Sequence, residues 1–147
     1  MARQRTITGR AAARAVGLIT NPLESDIQAT VFEFLKTLST PSGMTLWDFS
    51  YAVPNGTKFA GTPEQRAKYM NALKRQGFKT GVSDIVIAFP LHHWHGAYIE
   101  LKRDKHSPIS DDQVTWQSRM KSVGYFTAVT VGLDEALAAV RAYWSGK

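Results

Sequence analysis

Three residues of the chain have the types and the spacing to do chemistry together: Asp84 in "GVSDIVIAF", and Glu100 and Lys102 in "YIELKRD". Apolar Ile99 and Leu101 alternate with Glu100 and Lys102, the period of a β-strand. Glu100 and Lys102 therefore share one face with Tyr98, while Ile99 and Leu101 point the other way. Asp84 opens the preceding apolar run, so it stands close to Glu100 if the two runs are neighbouring strands. Two carboxylates forced together repel each other unless a cation lies between them. Hard oxygen donors without cysteine suit Mg²⁺ or Mn²⁺. A lysine beside such a site stabilises charge on an attacking hydroxide or a phosphoryl oxygen. The combination is that of phosphodiester hydrolysis. Glu-x-Lys alone is also the pattern of a solvated strand face. The order of a strand-opening Asp, a hairpin and then apolar-Glu-apolar-Lys is rarer.

The elements that would position these residues can be read on either side. Ile27, Val31, Phe34, Leu35 and Leu38 recur at helical spacing and predict an amphipathic helix over 23–38, broken by "STPSG". "MTLWDFSYAV" is rich in aromatic and β-forming residues and predicts a strand running into the turn "PNGT". Thr62 as N-cap and Pro63 at the first helical position open a helix over 63–76 that Gly77 closes. "SDIVIAF" and "GAYIELK" are strands joined by the loop "PLHHWHG". A helix runs from Ser110 to Gly124, "YFTAVTV" is a strand, and "LDEALAAVRAYW" is a closing helix with Leu137, Val140, Tyr143 and Trp144 on its apolar face. The result is a mixed α/β domain around a central sheet. Residues 1–21 read as a basic flexible arm and 22–147 as one domain, the size expected for 147 residues.

Composition narrows the partners. The chain has no cysteine, which excludes disulfides, thiolate zinc sites and cysteine nucleophiles, and fits a cytoplasmic setting. No apolar run approaches a membrane span, so no membrane partner is expected. The net charge is +6, which favours an anionic partner such as nucleic acid. The excess is local: Lys58, Arg66, Lys68, Lys74, Arg75 and Lys79 stand against Glu64 alone, and the arm adds Arg3, Arg5, Arg10 and Arg14. Lys58, Arg66, Lys68 and Lys79 are candidate phosphate contacts, which position a nucleic acid without reading its sequence. His92, His93 and His95 crowd one loop but bring no evident fourth zinc ligand. Trp116 at helical spacing reads as core before it reads as a stacking platform.

"GVSDIVIAF" followed by "YIELKRDKHSPISDDQVTWQSRMKSVGY", with "ESDIQ" and "VPNGT" upstream, resembles the VRR-NUC domain of the PD-(D/E)XK nuclease superfamily across about residues 23–144. Ser83 departs from the proline of the superfamily name. The resemblance implies the restriction-endonuclease-like fold, a Mg²⁺- or Mn²⁺-dependent endonuclease, and Asp84 and Glu100 as metal ligands. It implies that the Leu101 carbonyl faces the metal and that Lys102 contacts the scissile phosphate or the nucleophilic water. It also implies Glu24 as a further acid on the first helix, with Asp26 as competitor. Gln113 matches a family position, and Ser110-x-x-Gln113 is equally a capping box. Short members resemble Holliday-junction resolvases, so the expected partner is branched DNA and the expected assembly a homodimer. A phage or mobile-element setting suits such a chain. A nuclease acting on flaps, linear duplex or RNA, or a silent basic DNA-binding module, are the alternatives.

Overall fold

The computed structural model describes residues 23–55 and 60–147. Its first element is helix α1 (Glu24–Leu35), whose Ile27, Val31 and Leu35 are buried. A short 3-10 helix (Leu46–Phe49) and strand β1 (Ser50–Ala52) follow. Helix α2 (Pro63–Arg75), strands β2 (Ile85–Ile87) and β3 (Ala97–Lys102), helix α3 (Asp111–Ser122), strand β4 (Phe126–Val131) and helix α4 (Gly132–Ser145) complete the chain.

The sheet order is β1-β2-β3-β4. β1, β2 and β3 run antiparallel in sequence, whereas β4 pairs with β3 in parallel. A parallel neighbour needs a crossover, and α3 supplies it. α1 and α4 pack together and onto β3 on one side of the sheet. There Ile27, Val31, Leu35, Ile85, Ile87, Ile99, Leu101, Val140 and Tyr143 form the core. On the other side Tyr98 meets Trp116 of α3, with ring centroids 5.6 Å apart. β3 is thus covered on both faces, and its Glu100 and Lys102 are 2% and 8% exposed. A carboxylate and an ammonium this buried are not a solvated face.

The segment "MTLWDFSYAV" differs from expectation. Only Ser50–Ala52 is strand, because Thr45 and Asp48 form a capping box that winds Leu46–Phe49 into a helical turn. Asp48 Oδ2 accepts from the Thr45 N–H at 2.7 Å and from its hydroxyl at 3.0 Å. This local bonding overrides the β propensity of the aromatics, leaving Trp47 and Tyr51 exposed while Phe49 packs on Phe89.

The histidine loop has a structural role. His92 adopts φ 56°, and its Nε2 lies 3.0 Å from the Trp144 carbonyl at the end of α4. The His95 N–H donates to the Gly124 carbonyl just after α3, at 3.0 Å. Trp94 between them packs on Phe126 and Tyr143. The loop fastens the C-terminal ends of two helices to the β2–β3 connection.

Candidate active site

The register of β2 and β3 sets Ile85 opposite Ile99, so the next position of each chain sets Asp84 beside Glu100. Asp84 lies just outside β2 and is 5% exposed. Its Oδ2 accepts from the Leu101 N–H at 2.8 Å, continuing the ladder through a side chain. Its Oδ1 accepts from the Asn55 amide at 2.9 Å, and the same amide reaches the Val82 carbonyl at 2.7 Å. The turn after β1 therefore holds the aspartate. In sequence Asn55 reads first as a turn residue, or as a backbone approach to phosphate, and nothing there shows that it reaches a carboxylate 29 positions on.

Glu100 is oriented from α3. Its Oε1 accepts from the Gln113 amide and lies 3.1 Å from the Lys102 ammonium. Gln113 Oε1 in turn accepts from Lys102 at 3.1 Å and from the Ser110 N–H at 2.9 Å. The capping box and the site contact are thus one arrangement: capping fixes the Gln113 rotamer that orients Glu100 and Lys102. Ser83, just before Asp84, is fully buried, and its hydroxyl accepts from Gln117 of α3 at 2.7 Å. That bond ties the start of β2 to the same helix. Gly81, at φ +78°, allows the close approach, since a Cβ there would lie 2.4 Å from the Asp112 backbone carbon.

The electrostatics are unbalanced. Burial, followed by the Asp84 charge, pushes the Glu100 carboxyl up to about 7, against the opposing pull of Lys102. Glu24, at the start of α1, is raised by burial and then by Asp84, while Lys102 lowers it. Glu24 also acts on Glu100, so this acid at the start of α1 faces the pair. Glu100 Oε2 is buried with no hydrogen-bond partner among the described residues. A buried carboxylate oxygen left unpaired is costly, and it is the position a cation would satisfy. No group of three ligating side chains is assembled among the described residues, so Glu24 faces the pair without joining it as a ready ligand. A two-carboxylate donor set still fits Mg²⁺, which keeps several waters and takes its remaining ligands from substrate phosphates. Leu101 lies between Glu100 and Lys102 on β3, with its side chain in the core and its N–H on Asp84.

The structure therefore brings Asp84, Glu100, Lys102 and Gln113 together, with Glu24 facing them. Arg66 and Lys68 lie on α2, none of whose residues is buried. Lys79 is exposed near the start of α3, and Lys58, like the arginines of the arm, falls outside the described residues.

No protein-family model and no curated protein matches the chain. Among solved structures, the chain is similar to one described as a VRR_NUC domain protein, with 25% identity and a TM-score of 0.69. The match covers 86% of this chain and 91% of that one. A mixed sheet flanked by helices is shared with that VRR_NUC domain protein over nearly the full length of both chains, so this protein has the nuclease-type fold of its neighbour.

Proposed function

We propose that the protein is a divalent-metal-dependent endonuclease that hydrolyses phosphodiester bonds in branched DNA, with Holliday junctions as the leading substrate, and that it acts as a homodimer. The observation that carries the metal-dependent chemistry is the buried Asp84–Glu100 pair, with the Glu100 Oε2 unpartnered among the described residues, beside Lys102. Asp84 and Glu100 would hold Mg²⁺ or Mn²⁺, with Glu24 and the Leu101 carbonyl as further candidates. The bound cation supplies positive charge to the phosphate oxygens and lowers the pKa of a nearby water.

The chain's own groups do the remaining work. Asp84 is fixed by the Leu101 N–H and Asn55, so it needs no reorganisation when the substrate arrives. Gln113 keeps the Glu100 carboxylate turned toward the site. Lys102 presents a charge held by Glu100 and Gln113, placed to stabilise the developing negative charge on phosphate or water. The exposed cations of α2, with Lys79, would contact phosphates and position the substrate without reading bases.

Cleavage of four-way junctions, flaps, linear duplex and RNA, with Mg²⁺, Mn²⁺ or EDTA, tests the proposal. Paired nicks in junctions that need metal are expected. Preferential cleavage of RNA or linear duplex would replace the substrate, and binding without cleavage of any substrate would leave a basic binding module.

A further inference from the structure

Beside the carboxylates lies a second feature that the hydrolytic chemistry does not use. A cleft of about 330 Å³ opens between the end of α2 and the exposed face of α3. Trp116 and Phe78, both half-buried, line it together with exposed Lys74, Lys79 and Arg119. Its one carboxylate, Asp112, accepts from the Thr80 hydroxyl at 2.6 Å. The cleft is thus aromatic in part, with three cations against one engaged acid. Trp116 is not an ordinary core residue: its indole N–H has no acceptor among the described residues, and its ring meets the Tyr98 edge. Buried tryptophan usually finds a partner for that N–H.

The position is informative. Asp112 and Trp116 flank Gln113, the residue that orients Glu100. Tyr98, against Trp116, is two residues from Glu100 on the same face of β3, about 7 Å along the strand. Its volume lies at the small end of the roughly 300–1,000 Å³ of small-ligand clefts. A duplex, whose major groove alone is about 12 Å wide, cannot enter it. An aromatic surface beside a cationic rim is the chemistry that holds a single strand, with a base on the ring and phosphate on the cations.

We propose that this cleft binds one unpaired nucleotide of the DNA substrate, so that selection of branched DNA comes from a nucleotide freed at the branch. Its consequence for cleavage rests on the nuclease reading, but the binding does not. Anisotropy titration in EDTA, with labelled oligothymidylate and blunt duplex as probes, measures it without catalysis. Trp116→Leu is expected to weaken oligothymidylate binding by about 5- to 150-fold, the range given by loss of one base–aromatic stack, with a smaller loss on duplex. Arg119→Ala, at an exposed position, should also weaken it and flatten its salt slope by about 0.7. The exposed variant decides the matter if Trp116→Leu does not fold. Unchanged oligothymidylate affinity, or equal losses on single strand and duplex, would overturn the proposal. A wild-type protein that binds oligothymidylate through the cleft yet cuts no DNA with Mn²⁺ would overturn the nuclease reading and leave the cleft standing.

Discussion

Among single residues, Glu100 sets the electrostatics of the site. Its carboxyl is raised from 4.5 to about 7, chiefly by burial and then by Asp84. The metal-free native state therefore holds a proton that the unfolded chain has released. This contribution to stability is fully present below about 4.5, falls as pH rises, and is lost above about 7, with a steepest slope of about 1.4 kcal/mol per pH unit. Thermal melts in EDTA from pH 4.5 to 8 should show that decline, and Glu100→Gln should flatten it. Binding a cation needs the ionised form, so the dependence reverses for metal. Mn²⁺ affinity by calorimetry should be about tenfold weaker at pH 6 than at pH 8, as expected for one group titrating near 7. A pH-independent affinity would remove Glu100 from the ligand set. Asn55 offers a separate test, because it holds the candidate ligand Asp84 without being a candidate ligand itself. Asn55→Ala is expected to lower metal affinity or cleavage by about 10- to 100-fold, with circular dichroism unchanged. The core of the site was legible in the sequence because alternation and strand order place Asp84, Glu100 and Lys102. Asn55 was not, since its contact depends on how a turn folds against a distant strand.

At the scale of the element, α3 joins fold and chemistry. Ser110 and Gln113 cap it, and the same Gln113 amide holds Glu100. Ser110→Ala should cost about 1 kcal/mol as a lost cap. It should also lower kcat, because Gln113 loses part of what orders it, whereas a purely structural cap would move the melting temperature alone. Gly81→Ala is expected to be worse on both counts: a Cβ would strike the Asp112 backbone, at a φ that disfavours side chains. Helix ends were readable because Thr62, Ser110, Gly77 and Gly124 carry capping chemistry that acts locally. The segment 44–53 was misread for the same physical reason in reverse. Its aromatics suggested a strand, but Thr45 and Asp48 three apart form a box that the aromatic pattern hid. The histidine loop also resisted reading, because His92 and His95 act on helix ends far away in sequence.

At the scale of the whole molecule, β1 is an edge strand, and Trp47, Tyr51 and Met44 on and before it are 45%, 53% and 45% exposed. These large apolar side chains do not all pack beneath α1, as a simple core would require. An exposed apolar patch of this kind often marks an interface, and a two-fold dimer would supply the second active site that paired nicking needs. For the proposed dimer, a wild type that sediments as a dimer and a Tyr51→Lys variant that sediments as a monomer are expected, the variant retaining single nicks while losing paired ones. The central claim is that the buried carboxylate pair makes this protein a metal-dependent nuclease. The measurement that tests it most directly is Mn²⁺-dependent cleavage of a four-way junction by the wild type and by Asp84→Asn and Glu100→Gln. Cleavage by the wild type, none in EDTA, and losses of about 10²–10³-fold in both variants are expected, in line with the loss of a group on which charge stabilisation in the transition state depends, with folding and DNA binding intact. Cleavage by either variant at the wild-type rate would contradict it.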